Sequence, residues 1–111
     1  MDQTVSYIDI LTRVMREEAK LQPSVQPRLK VVSSCDSETG QFLLIVIGWD
    51  NRKHRMHNIL FHAQLVDGKV IIETDMTEEG LTSSLIEAGI PEEDILSGSA
   101  LTKLEAETVA V

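Results

Sequence analysis

Between Val5 and Leu21 the positions Tyr7, Ile10 or Leu11, Val14, Glu18 and Leu21 recur at helical spacing, with Arg13, Arg16 and Glu17 on the other side. Residues three and four apart share one side of a helix, so this stretch predicts an amphipathic helix. Gln22-Pro23-Ser24-Val25-Gln26-Pro27 ends it, because proline lacks an N–H and restricts the residue before it. Leu29, Val31 and Val32 then introduce a strand, closed by the turn-forming run Asp36-Ser37-Glu38-Thr39-Gly40. Phe42 to Trp49 is a continuous apolar run rich in Ile and Val. Such a run suits a central strand covered on both faces, or one that meets a second subunit. The polar loop Asp50-Asn51-Arg52-Lys53 turns the chain back. From His54 to Val66 one parity carries Arg55, His57, Ile59, Phe61, Ala63 and Leu65, and the other carries His54, Met56, Asn58, Leu60, His62 and Gln64. Asp67-Gly68 signals a two-residue type I′ hairpin, and Val70-Ile71-Ile72 supplies the next strand. The sum is a four-stranded antiparallel meander.

A second helix follows. Asp75 or Thr77 is placed to cap it, Glu78 and Glu79 would occupy its first turn, and Leu81, Leu85, Ile86 and Ala88 supply its apolar side. Gly89 is positioned to end it, and Pro91 to Leu96 reads as a helical turn with proline at its first position. The tail over residues 97–111 is variable in character, with a possible fifth strand at Thr108-Val109-Ala110-Val111. The fold class is therefore α+β, in one domain over residues 1–111.

Charge changes the picture more than composition does. The formal net charge is −8, and it is unevenly placed. Residues 1–57 hold eight Lys/Arg and seven Asp/Glu, whereas residues 58–111 hold two Lys and eleven Asp/Glu. An acidic chain starts at a disadvantage for nucleic acid, whose phosphates are neutralised by Lys and Arg. The one dense basic group is Arg52-Lys53-His54-Arg55. A single cysteine, Cys35, excludes an intrachain disulfide. The longest apolar run, Phe42 to Ile47, is too short to span a bilayer, and no export signal is visible at the N-terminus. These features suit a cytoplasmic protein away from membranes.

Catalytic and ligand-binding motifs are scarce. His54 and His62 share a parity but lie about 26 Å apart along a strand, and His57 falls on the other parity, so a metal site is not expected. The pairs Glu78-Glu79 and Glu92-Glu93-Asp94 read as carboxylates at helix starts, where unpaired N–H groups stabilise them. Glu73 and Asp75 share a strand parity without the lysine partner of a nuclease motif. The six glycines form neither a dinucleotide fingerprint nor a P-loop, so no cofactor is expected. His62 with Asp75 is the one acid–base pair worth naming, and it ranks behind the binding readings.

An ordered set of short motifs carries a resemblance. Gly48-Trp49-Asp50, Arg55, His62 and Asp67-Gly68-Lys69-Val70-Ile71-Ile72 come first, followed by Asp75-Met76-Thr77-Glu78-Glu79-Gly80 and Gly89-Ile90-Pro91-Glu92-Glu93-Asp94-Ile95-Leu96-Ser97-Gly98. Together they resemble the XisI family, the fdxN element excision controlling factor proteins of cyanobacteria. Ile71 and Ser99 depart from that pattern, and Leu101 to Glu107 replaces its Pro- and Arg-containing end. The resemblance implies a small α+β protein and a homodimer. It further implies a non-enzymatic accessory role in site-specific DNA excision during heterocyst differentiation, beside a recombinase and an XisH-like protein.

Two modes of action are open from the residues. The first is docking on another protein through Trp49, Asp50, Arg52, Lys53 and Arg55, with His62 as a further contact, since Trp and Arg are enriched at interface hot spots. Trp49 would equally fill a core under the first helix. The second is direct DNA contact through the Arg52–Arg55 loop.

Overall fold

The computed structural model describes residues 3–21 and 28–99. Helix α1 spans Gln3–Leu21. Four strands follow: β1 (Leu29–Asp36), β2 (Gln41–Trp49), β3 (Arg55–Val66) and β4 (Lys69–Asp75). Helix α2 covers Thr82–Glu87, and a short 3-10 turn, Glu92–Asp94, leads into β5, Ile95–Ser97. The sheet order is β1-β2-β3-β4-β5, with β1 to β4 antiparallel and β5 parallel to β4. Asp67 (φ 50) and Gly68 (φ 77) form the β3–β4 turn with both residues at positive φ, as a type I′ turn requires.

The helices pack on one face of the sheet. Tyr7, Leu11, Val14 and Met15 of α1 meet Phe42, Leu44, Phe61, Ala63 and Val70 of the sheet, with Leu81, Leu85 and Ile90 closing the core. Burying these side chains is the main stabilising contribution. The opposite face is left partly open around β1, β2 and β3, while at β4 Ile71, which pairs with Gln64 on that side, is only 5% exposed and Gly98 lies against Glu73. Ile45 on that open face lies between Val32, 38% exposed, and Ile59, 47% exposed.

Three expectations are corrected. First, α2 starts at Thr82 rather than at Asp75 or Thr77. The Asp75 carboxylate instead accepts from the backbone N–H of Thr77 (3.1 Å) and of Leu81 (2.9 Å), winding Glu78 and Glu79 into a loop. Second, the helical turn expected over Pro91 to Leu96 stops at Asp94, and Ile95–Ser97 pairs with Val70–Ile72 as β5. The strand expected at Thr108 to Val111 lies outside the described residues. Third, β3 does not keep one parity. Leu44 pairs with Phe61 but Ile45 pairs with Ile59, leaving Leu60 as a bulge. Phe61 and Ala63 therefore face the core, while Arg55, His57 and Ile59 face the open side with His62 and Gln64. A second irregularity at Glu73 separates it from Asp75 in the same way.

Candidate functional site

The register of β2 and β3 places Trp49 directly opposite Arg55 at one end of the open face. The Arg55 guanidinium sits 4.5 Å from the indole centroid, a cation–π contact. Trp49 remains 47% exposed and is not part of the core. Gly48 makes this corner possible. Its φ is +140, and a Cβ there would lie 2.0 Å from the Arg28 carbonyl oxygen. That close approach lets the Trp49 N–H donate to the same oxygen at 3.1 Å, fixing the ring at the mouth of the sheet. A recess of about 520 Å³ is lined by Arg28, Trp49 and Lys53. A second recess of about 300 Å³ between α1 and α2 is lined by Arg13, Glu17, Glu18 and Glu87, with charges of both signs and no aromatic ring.

Asp50 organises the adjoining basic loop. Its carboxylate accepts from the backbone N–H of Arg52 (2.8 Å) and of His54 (2.9 Å), and the His54 ring lies 3.4 Å away. The His54 N–H above all, with the Arg52 N–H and the His54 ring, holds the Asp50 carboxyl below the usual carboxylate range. The loop therefore presents Arg52, Lys53 and Arg55 from an ordered turn.

Trp49, Asp50, Arg52, Lys53 and Arg55 thus come together, and the structure adds Arg28, which the β1–β2 pairing brings from 21 positions earlier. His62 does not join them. It lies about 20 Å along the sheet, six β2 residues from Trp49. There it heads a ladder across the open face. His62 Nε2 meets Gln41 Oε1 at 2.7 Å, Gln41 Nε2 donates to Gln64 Oε1 at 3.0 Å, and Gln64 Nε2 donates to Glu73 Oε2 at 2.8 Å. The Gln41 amide nitrogen is committed to Gln64, so its oxygen accepts and His62 donates from Nε2. His62 and Asp75 do not form an acid–base pair, since Asp75 is engaged by Thr77 and Leu81. His54 sits in the loop, and His57 shares the open face with His62 after the bulge.

Sequence reasoning missed a buried ionic cluster. Asp94, only 8% exposed, accepts from the Tyr7 hydroxyl and, at 2.6 Å, from Lys69 Nζ. Lys69 first and Tyr7 second hold the Asp94 carboxyl below its ordinary range, and Asp94 raises the Lys69 ammonium in return. The cluster ties α1 to β4 and to the turn before β5. Its signal was Tyr7 on a buried helix face, where a phenol hydroxyl needs a partner.

A family model described as XisI protein matches residues 1–108. The chain is similar to the crystal structure of a XisI-like protein from Anabaena variabilis ATCC 29413, with TM-score 0.74, 22% identity and 84% of each chain covered. It is also similar to the crystal structure of fdxN element excision controlling factor XisI from Anabaena variabilis ATCC 29413. There the TM-score is 0.69 and the identity 27%, over 86% of this chain and 85% of the other. No curated protein matches the chain.

Proposed function

The chain belongs to the XisI family, and from that membership we propose that it is a non-catalytic control factor of DNA-element excision that docks on an acidic surface of another protein. The observation that carries this reading is the half-exposed Trp49 held under Arg55 beside Arg28 and Lys53. A rigid aromatic within a cationic rim is the composition of an interface hot spot, and its charge opposes that of the rest of the chain. The excision-control role is drawn from the similar structure described as an excision controlling factor. The first partner to test is an XisH-like protein, with a site-specific recombinase second.

Trp49→Ala is expected to weaken the complex by about 2 kcal/mol, or roughly 30-fold, while unfolding stays cooperative. Co-expression with the XisH-like protein, followed by light scattering on a sizing column, reads this directly. Two separate species in place of a mixed complex would end the docking reading for that partner.

The exposed Arg52, Lys53 and Arg55 support a second reading, direct DNA contact. Three phosphate contacts would give a slope of about −3 in log K against log salt, lost in the triple alanine variant. Binding with no salt dependence would refute it.

A further inference from the structure

β1 closes one side of the sheet and pairs only with β2. The Trp49 N–H donates to the Arg28 carbonyl, which fixes the alternation along the strand. Arg28, Lys30, Val32, Ser34 and Asp36 direct their backbone groups at β2, while Leu29, Val31, Ser33 and Cys35 direct theirs away from the sheet. Among the described residues no backbone hydrogen bond reaches those outward groups. β1 has neither a proline nor a bulge, two devices that close an edge to further pairing. The same strand runs into the tryptophan corner. A recess of about 350 Å³ has Arg28, Lys30, Ile47, Trp49 and Arg55 in its walls and no acidic side chain. The open edge and the cationic corner are therefore one continuous surface.

We propose that the docking partner adds a strand to this edge: an extended acidic segment of another protein pairs antiparallel with β1. The inference rests on the docking reading and specifies the shape and charge order of what docks. In such an addition main-chain bonds supply affinity and alternate side chains supply specificity. The outward groups of Leu29, Val31 and Ser33 take the main-chain bonds. Arg28, Lys30 and Val32 then fall in the pairs without hydrogen bonds, where facing side chains stand closest. Their side chains lie on the open face, Lys30 beside Ile47 and Val32 beside Ile45. A carboxylate opposite Arg28, a second opposite Lys30 and an apolar residue opposite Val32 complete the match. Because the two strands run in opposite directions, the incoming segment reads apolar-x-acid-x-acid from its N-terminal end. Its last acid lands at the recess, within the rim formed with Trp49 and Arg55. Asp36 stands at the other end of β1 and repels an acid there, so the order of charge along the segment is fixed.

The probe is the blocked peptide Ser-Thr-Val-Thr-Glu-Thr-Glu-Thr-Ser, titrated into the full chain. Binding is followed by the fluorescence of Trp49, the sole tryptophan, and by amide hydrogen exchange. Exchange at the outward amides of Leu29, Val31 and Ser33 should slow on binding, whereas Lys30 and Val32, already bonded to β2, should not change. Ser33→Pro removes one outward N–H and keeps the ladder to β2, as edge proline does, and should weaken binding about tenfold. Lys30→Glu changes an exposed side chain and tests the register without depending on the folding of the proline variant. It should also weaken binding about tenfold, and a peptide with Lys in place of its first Glu should restore it. Binding that leaves the three outward amides unprotected would overturn strand addition and leave an acidic contact at Trp49 standing. Failure of the Lys-for-Glu exchange to restore binding, or no binding at millimolar peptide, would each overturn the proposal as well. The docking reading is decided separately, by Trp49→Ala in the mixed complex.

Discussion

Gly48→Ala is the most pointed perturbation of the candidate site, because it alters neither charge nor any group of the patch. Two costs add. A non-glycine residue at φ +140 carries about 1–3 kcal/mol of backbone strain. The new Cβ would also stand 2.0 Å from the Arg28 carbonyl oxygen, so β1 must retreat and the Trp49 N–H bond is lost, at about 1 kcal/mol. The expected loss is about 3 kcal/mol, or roughly 2 M in the urea midpoint for a slope of about 1.5 kcal/mol/M. Gly68→Ala is the control. Its φ of +77 is also positive, but no atom lies within 4 Å of the added Cβ. It should cost about 1 kcal/mol, the strain of the left-handed region alone. Trp49 is the sole tryptophan, so its fluorescence reports the corner while circular dichroism reports the whole sheet. Gly48→Ala should shift the native emission of Trp49, and Gly68→Ala should leave it unchanged. Equal costs for the two variants, or an unmoved Trp49 spectrum, would refute the claim that the approach of Arg28 fixes the ring.

Two further predictions concern the core and the ionic cluster. Phe61→Ala should cost about 3–5 kcal/mol and Ile59→Ala about 1 kcal/mol or less in urea unfolding, because the bulge at Leu60 sends the two side chains to opposite faces; similar costs would mean that β3 keeps one parity. Asp94 has a lowered carboxyl pKa, so its stabilisation is present above the unfolded carboxylate range and is lost as pH falls through the folded value. Lys69 is raised, so its contribution holds below the ordinary lysine range and is lost as pH rises through its folded value. Urea midpoints against pH should therefore fall at both ends, and Asp94→Asn should flatten the acid limb; an unchanged acid limb would remove Asp94 from the account.

The strands and α1 were legible because apolar periodicity and turn residues agree over each segment. The parity of β3 was not. A bulge adds one residue without leaving a mark in hydrophobic content, since Leu60 is as apolar as its neighbours. The same blindness put Glu73 and Asp75 on one face and set His57 apart from His62. Residue type alone pointed to Trp49 and the Arg52–Arg55 loop, whereas Arg28 joins them only through strand pairing. Asp94 was hidden by its context, because an acid after Pro91-Glu92-Glu93 reads as one more solvated carboxylate at a helix start. Its burial depends on Tyr7 and Lys69, which local pattern cannot bring near.

The hydrogen bond from Tyr7 to Asp94 joins positions 87 residues apart. Closing a loop of that length in an unfolded chain costs on the order of 4 kcal/mol in entropy. The β1–β2, β2–β3 and β3–β4 hairpins close far shorter loops, and with them formed the span separating the two groups collapses. Loop-closure entropy therefore weighs far less on the clasp once the hairpins are in place than in the open chain. A chain still being synthesised holds Tyr7 long before Asp94 has been made. The ionic clasp on the first helix thus becomes available only after the four antiparallel strands have been made.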